Sequence, residues 1–185
     1  VSIHTVTAFL YCGLPGRGYW LTAVLAARFL ASAFAAGPAF LILVTYIAKI
    51  FTGFDPGKGV LSTLGKTVVY AMCVNLFLLL CEVFTVFYSQ IPSHMAHLQY
   101  LFVGYHGHGV LVPWMWSAMI MAVVGILILI VPKNREQDNL LIIGCLLIFI
   151  GAWIDKGRGM SAGGVVPSPL HEITEHGPSQ LELGV

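Results

Sequence analysis

Charge is the scarcest property of this sequence. Asp, Glu, Lys and Arg make up 9% of the 185 residues, whereas hydrophobic residues make up 58%; an average soluble domain is about 25% charged. The net charge is +1 and the few basic residues are spread among the loops, which excludes the usual nucleic-acid-binding surface. The composition predicts a protein that lies in a lipid bilayer.

Cysteine is also scarce, and it does not occur in metal-binding patterns. The four cysteines are scattered, with no CxxC, CxxCH or ferredoxin spacing. His94-x-x-His97 and His106-x-His108 resemble metal-ligand spacing, but no Cys, Asp or Glu completes a set nearby, so we interpret them as loop histidines. No histidine lies within a predicted span, which counts against haem b. We therefore expect no metal, haem or iron–sulfur cluster in this chain.

An initiating methionine and a signal peptide are missing as well. The sequence opens on Val1 and lacks a basic start, a short apolar core and a small-residue cleavage site. We expect a piece of a longer protein.

Long apolar runs are what the sequence does contain, and they are separated by turn-forming residues. Four runs are long enough to cross a hydrocarbon core, which needs about 20 residues, although the last run is short. We predict an all-α integral membrane protein in which a bundle of about four transmembrane helices occupies residues 22–155. An outward-facing segment at 1–21 precedes the bundle and an outward-facing tail at 156–185 follows it. The predicted spans are residues 22–49, 64–89, 111–131 and a short fourth span at 139–154.

Lysine and arginine predict the orientation, because cytoplasmic connections carry the excess of both. The connections after the first and third spans hold more of them than the opposite side. We therefore place those connections in the cytoplasm and the protein in the cell's inner, cytoplasmic membrane as a multi-pass protein. The first group is Lys49, Lys58, Lys66, Lys133 and Arg135, and the second is Arg17, Lys156 and Arg158.

One acidic residue, Glu82, lies inside the second span, where a charge costs roughly 2.5 kcal/mol or more. Helical spacing places Asn75, Glu82, Thr85 and Ser89 on one stripe. Arg28 in the first span lies about 9 Å from the outer end and Glu82 about 10 Å from it, at the helical rise per residue. Opposite charges at one depth predict a buried ion pair.

Small, aromatic and imidazole side chains gather at the same predicted level. Ser32 belongs to a run of small residues in the first span that lets a neighbouring helix approach closely. Tyr19-Trp20 and Trp114 are interpreted as interface anchors in an aromatic belt. His4 and the other histidines occupy the adjoining segments. Together with Glu82 they predict a polar pocket that opens outward and accepts protons near neutral pH.

A purely structural interpretation stands beside the functional one. Glu82 could serve only to hold helices together through Arg28, and Asn75 could serve as interhelical glue. In the tail, the phrase PSPLHEI predicts one turn of surface helix with Ser168 as its N-cap.

Several long phrases resemble the NrfD, or polysulfide-reductase membrane-subunit, family. They are HTVTAFLYCGLPGRGYW, FLASAFAAGPAFLIL, NLFLLLCEVFTVFYS, WIDKGRGM and VVPSPLHEI. Within that family the sequence is most similar to the DsrP subunit of the sulfite-reduction-associated complex. The resemblance implies that the chain is the C-terminal half of a protein of about eight to ten helices, with a further helix after the tail.

The resemblance also implies a function. Family members carry no haem or iron of their own and exchange electrons between membrane quinone and a neighbouring iron–sulfur subunit. The expected ligand is menaquinone or its quinol. The expected partners are a ferredoxin-like iron–sulfur subunit, a multihaem cytochrome, the other membrane subunits and membrane lipid, with no nucleic acid.

His4 matches the family phrase that lies near the outward quinol site. From their depth in the membrane we add Glu82 and Arg28 to the catalytic residues: His4 and Glu82 would accept or relay protons, and Arg28 would tune the Glu82 charge. We expect four further residues to bind the cofactor, and no metal site. The four are Asn75, Ser32, Thr85 and Trp114.

Together these expectations describe a quinol-interacting subunit of a menaquinol oxidoreductase complex in sulfite or sulfate metabolism, non-catalytic by itself. Two alternatives stay open. A proton or small-solute transporter would also use an intramembrane acid with a basic partner, although no paired broken helices are visible. A structural membrane anchor for redox subunits would need no polar stripe.

Overall fold

The computed structural model describes residues 2–14, 18–53, 55–105 and 109–160, and this part of the chain is almost wholly helical. A short 3₁₀ turn at Gly18–Trp20 precedes the first long helix, and a π-helical turn at Asp155–Met160 continues the last. The helices are α1 (Ser2–Cys12), α2 (Leu25–Thr52), α3 (Lys58–Ser89), α4 (Pro92–Phe102), α5 (Val112–Ile130), α6 (Pro132–Arg135) and α7 (Asp138–Ile154).

Four helices within the described ranges are long and apolar enough to cross a membrane, which confirms the predicted all-α membrane class. They correspond to α2, α3, α5, and α7 with its π-helical extension. The fourth is longer than predicted, because the helix continues through Asp155 and reaches 22 residues at Gly159. The sequence pattern stopped at Ile154 because the next residues are polar, and polarity marks the end of an apolar run rather than the end of a helix.

Local chemistry ends these helices where the chain must turn. Gly53 follows α2 with a φ of 70°, a left-handed conformation that glycine adopts without strain. Proline lies in the first turn of α4, α5 and α6, where its missing N–H costs nothing.

His94 and His97 lie on α4, so the expectation that they are loop histidines is wrong. His106, His108 and the PSPLHEI phrase lie outside the described residues.

α2 packs between α3 and α7, and α5 packs beside α7. Glycine sets the close approach of α5 and α7. A Cβ built on Gly125 would lie 2.6 Å from Ile148 Cγ1 and 3.1 Å from the carbonyl oxygen of Gly144. Backbone moves aside less readily than a side chain, so this crossing favours a residue without a Cβ.

Two hydrophobic clusters make up the core. The first joins α2, α3, α5 and α7 with small and mainly aliphatic side chains, among them Ile42, Val68, Leu129 and Ile148. The second lies under α1, the 3₁₀ turn and α4, and includes Tyr19, Trp20, Tyr100 and Leu101. Arg28 and Glu82 lie at the end of the bundle where the second cluster sits, because α2 begins and α3 ends there.

Candidate functional site

Arg28 and Glu82 form the predicted ion pair. Arg28 is fully buried and Glu82 is 6% exposed. Nη1 of Arg28 donates a hydrogen bond to Oε2 of Glu82. Each charge offsets part of the desolvation cost of the other, which allows both to lie inside a membrane-spanning bundle.

The same guanidinium holds a second carboxylate that the sequence reasoning missed. Nη2 of Arg28 lies 3.4 Å from Oδ2 of Asp155, and Nζ of Lys156 lies 3.1 Å from that same oxygen. The four groups therefore form one chain of ion pairs in the order Glu82, Arg28, Asp155, Lys156. With two cations and two anions, the cluster has no formal net charge.

A signal for Asp155 was present in the sequence. The buried stripe of α7 runs through Leu141, Cys145, Ile148 and Ala152 at helical steps of four and three residues. One more step of three residues reaches Asp155. A helix predicted to continue beyond its apolar run would therefore have placed Asp155 on the buried face of the helix.

The phenol of Tyr19 completes the cluster. It lies near Arg28, Glu82 and Asp155, and burial raises the pKa of Tyr19, although Arg28 opposes the rise. The phenol therefore stays protonated. Tyr19 and Trp20 are only 6% and 5% exposed, so their interpretation as interface anchors is wrong. The 3₁₀ turn brings Trp20 against Tyr11, with ring centroids 4.7 Å apart.

A cavity of about 360 Å³ lies on one side of the cluster. Its polar wall contains Tyr19, Glu82, Thr85, Ser89 and His94, and we call it the Glu82 cavity. The Thr85 hydroxyl donates to the Cys81 carbonyl at 2.8 Å and the Ser89 hydroxyl to the Val86 carbonyl at 3.3 Å. Because their protons are engaged, these two hydroxyls offer mainly acceptor lone pairs to the cavity.

A second cavity of about 240 Å³ lies at the other end of the ion-pair chain. It is lined by His4, Ser32 and Lys156 among aromatic and small side chains, including Phe29 and Trp153, and we call it the His4 cavity. Apart from its ion pair with Asp155, the buried Lys156 ammonium has no hydrogen-bond acceptor among the described residues. The ammonium also lies over the Phe29 ring, 5.5 Å from its centroid.

The predicted site residues are thus divided between two cavities instead of sharing one pocket. His4 and Ser32 line one, and Glu82 and Thr85 line the other. The two cavities are separate because the buried ion-pair chain lies between them, where the sequence predicted one common pocket.

Asn75 and Trp114 line neither of these cavities. Asn75 is 2% exposed, and its amide nitrogen lies 3.9 Å from the Met72 sulfur. Its side-chain oxygen has no hydrogen-bond partner in the described part of the chain. Trp114 stacks under the guanidinium of Arg158, whose Cζ lies 4.0 Å from the ring centroid. Both residues therefore lie outside the walls of these two cavities.

Across residues 2–14, 18–53, 55–105 and 109–160, no three His, Cys, Asp or Glu side chains gather in a group that could hold a metal ion. The two cavities instead offer hydrogen-bond donors, acceptors and aromatic walls, which suit an organic ligand.

The comparison with protein families agrees with this architecture. The family described as "Polysulphide reductase, NrfD" matches residues 1–163. The chain is a member of the NrfD family. It is 26% identical over 167 residues to a Halobacterium salinarum protein whose name describes a putative membrane subunit of dimethyl sulfoxide reductase. The match covers 88% of this NrfD-family chain but 37% of the relative, so the chain spans little more than a third of the relative's length.

Proposed function

We propose that this NrfD-family chain belongs to a quinol- or quinone-interacting membrane subunit that exchanges electrons with a partner iron–sulfur protein. The ligand headgroup binds in the His4 cavity. The observation that carries the proposal is the pairing, in one cavity between α2 and α7, of the His4 imidazole with a buried ammonium that has free protons.

The chemistry of that wall suits both redox states of the ligand. A quinone presents two carbonyl acceptors, and Lys156 can donate to one of them. A quinol presents two hydroxyl donors, which imidazole and hydroxyl lone pairs can accept. Ser32 has such lone pairs free, because its proton is donated to the Phe29 carbonyl at 2.9 Å.

The apolar walls suit a flat, lipid-soluble molecule. Phe29 and Trp153 provide aromatic faces, and Ala33 and Ala36 leave room beside them. Trp153 is 67% exposed on a membrane-spanning helix, so the cavity lies beside a surface that lipid would cover. A ligand with an isoprenoid tail can therefore enter from the bilayer. The protein supplies orientation and electrostatics, and the quinone supplies the redox chemistry.

The finer features of the function belong to the same proposal. The ligand is menaquinone or menaquinol, and the parent complex resembles DsrP-containing complexes of sulfite or sulfate metabolism in the cytoplasmic membrane. Its partners are a ferredoxin-like iron–sulfur subunit, a multihaem cytochrome and other membrane subunits. The relative's name, a membrane subunit of dimethyl sulfoxide reductase, supports a role in a reductase complex that acts on a sulfur compound.

The test is titration of the purified parent complex with a fluorescent quinol-site inhibitor. His4→Gln and Lys156→Met are expected to weaken binding by about tenfold each, the effect of roughly one lost hydrogen bond to a charged or polar group. Thr7→Ala is the matched control, because Thr7 also lies on α1 and its hydroxyl donates to the Ile3 carbonyl. If both cavity variants bind the inhibitor with native affinity, the headgroup binds at another site.

A proton or small-solute transporter is the second candidate. The observation in its favour is the chain of buried ion pairs inside a membrane-spanning bundle, since intramembrane charges mark ion and proton routes. Vesicles that contain the parent complex would then take up protons or solute without an electron donor or acceptor. Uptake that requires quinol oxidation supports the redox function instead.

A further inference from the structure

The Glu82 cavity has no part in the headgroup binding proposed above. Its wall nevertheless carries a regular series of polar side chains. Glu82, Thr85 and Ser89 follow one another at helical steps of three and four residues, and the last of them ends α3. Seven residues of helix span roughly 10 Å. Proton acceptors therefore line the cavity from the buried carboxylate to the end of the helix, where His94 of α4 also faces it.

The two cavities differ in what they offer. The His4 cavity ends in the Lys156 ammonium, a donor, which suits a quinone carbonyl. The Glu82 cavity offers a carboxylate and two hydroxyls whose protons are turned to backbone carbonyls. Such an acceptor-lined wall suits water and the protons that water carries.

One guanidinium connects them. Nη1 of Arg28 bonds Glu82 and Nη2 lies 3.4 Å from Asp155, so each carboxylate competes for the same cation. Protonating either carboxylate weakens its hold on Arg28 and strengthens the other pair. The cluster can therefore exist in two arrangements that differ in which acid carries a proton.

We propose that the Glu82 cavity is the proton outlet for quinol oxidation in the His4 cavity, and that Asp155 passes the proton between them. This inference rests on the proposed function. The outlet leads toward the end of the bundle where α3 ends and α4 begins.

Each proton and electron of the quinol has a named destination. As a quinol hydroxyl gives its proton to Lys156, another Lys156 proton passes to Oδ2 of Asp155. A second quinol proton goes to His4, whose exposed side chain releases it to water. The two electrons pass singly to the iron–sulfur acceptor of the partner subunit. The Tyr19 phenol, which lies near both carboxylates, then accepts the Asp155 proton as it gives its own proton to Glu82. Arg28 pairs with the recharged Asp155, and neutral Glu82 releases the proton to water in its cavity.

The groups that face Glu82 are consistent with this exchange. α2 contributes Arg28, the 3₁₀ turn contributes Tyr19, and the π-helical turn contributes Asp155 and Lys156. α4 contributes His94, which lines the same cavity. The Tyr19 oxygen accepts a hydrogen bond from Arg28. Since burial keeps the phenol protonated, Tyr19 does not retain the transferred proton.

The experiment uses the reconstituted parent complex with menadiol, a tailless naphthoquinol, and a water-soluble electron acceptor. Menadiol affinity, electron flux, proton release to a pH dye and the solvent deuterium isotope effect are measured for Glu82→Gln, Asp155→Asn and Thr85→Val. Thr67→Val is the control, because Thr67 also lies on α3 and donates its proton to a backbone carbonyl, that of Thr63, but lines neither cavity.

We expect Glu82→Gln and Thr85→Val to bind menadiol with native affinity. Asp155→Asn is compared at saturating menadiol, because Asp155 also holds Lys156. Glu82→Gln and Asp155→Asn should lower turnover by about 100-fold, the lower end of general acid–base effects, with slower proton release and a larger isotope effect. Thr85→Val should show a smaller loss of the same kind, which unfolding cannot mimic because its side chain is exposed and its binding is measured separately. Thr67→Val should match the native complex.

The outcomes separate the inference from the function on which it rests. Native turnover and a native isotope effect in Glu82→Gln and Asp155→Asn, with menadiol bound, overturn the outlet and leave the quinol site intact. Failure of the native complex to bind or oxidise menadiol overturns the quinol site and the outlet together.

Discussion

The two ends of the bundle solve the problem of helix contact in different ways. Around Ile42, Leu129 and Ile148, aliphatic side chains and close glycine crossings fill the space between α2, α3, α5 and α7. At the other end, Arg28 and Glu82 are buried, and the ion-pair cluster is flanked by two cavities. We call the first region the apolar half and the second the polar half.

The difference shows where this fold can carry chemistry. The aliphatic contacts of the apolar half are close-packed and include no group that exchanges protons. The ion pairs of the polar half add little net stability after desolvation, but they keep charged groups beside open space. We therefore expect changes in the apolar half to affect folding alone, and changes in the polar half to affect folding, ligand binding or turnover according to the residue.

The largest effect is expected from Arg28→Ala. Removing the guanidinium leaves Glu82 without its cation and Asp155 with Lys156 alone, and breaking a buried pair in this way costs about 3–5 kcal/mol. The yield of assembled complex and its thermal unfolding in detergent measure the loss.

The double variant Arg28→Met/Glu82→Leu sharpens this test. Replacing both partners of a buried pair by apolar groups of similar size is often neutral. Recovered assembly without recovered quinol turnover would show that the pair serves chemistry. Recovery of both would favour the structural anchor.

Gly125→Ala in the apolar half should have an intermediate effect. The added methyl group would overlap Ile148 and press on the Gly144 backbone, and overpacking of this kind costs about 1–3 kcal/mol. Thermal unfolding should show the loss, while turnover per folded complex stays native. Gly59→Ala is the control, because a Cβ there meets nothing within 4 Å. Lower turnover per folded Gly125→Ala complex would break the comparison between the halves.

Trp153→Leu should have a smaller effect, confined to binding. Trp153 lines the His4 cavity, and losing one aromatic face costs about 0.5–1.5 kcal/mol of affinity for a flat ring. Trp114→Leu is the matched variant, because Trp114 stacks on Arg158 and lines neither cavity. Inhibitor titration should separate them. Equal losses of inhibitor affinity in both variants would show that Trp114 also contacts the ligand.

The smallest effect is expected at the exposed ion pair of Lys49 and Asp55, whose charged atoms are 2.8 Å apart. The hydrogen bond from Lys49 lowers the pKa of Asp55, so the pair's contribution is present near neutral pH and is lost as pH falls through that lowered pKa. Water and salt screen it at the surface. Asp55→Asn should therefore lower the unfolding temperature only slightly at pH 7, and this small difference should vanish as pH falls below the lowered pKa of Asp55. A large loss at pH 7 would contradict this.

The membrane class and the four spans were predictable because an apolar run that is long enough to cross the bilayer and carries few charges indicates a transmembrane helix. The Arg28–Glu82 pair was predictable from depth alone, since two opposite charges at one level of a bundle have no better partner in lipid. Asp155 was missed because it follows the apolar run. Tyr19 was misinterpreted because a tyrosine next to a tryptophan before a span has the sequence pattern of an interfacial belt.

The sequence by itself therefore determined that the protein lies in a lipid bilayer, the number of spans and the depth of the buried charges. Hydropathy and helical rise suffice for this, because both can be evaluated within each helix separately. Only the tertiary structure decided that Arg28 is shared between two carboxylates and that His4 and Glu82 face different cavities. Those facts depend on how α2, α3 and α7 are rotated about their own axes. Side-chain packing between helices sets that rotation, and no pattern within one helix records it.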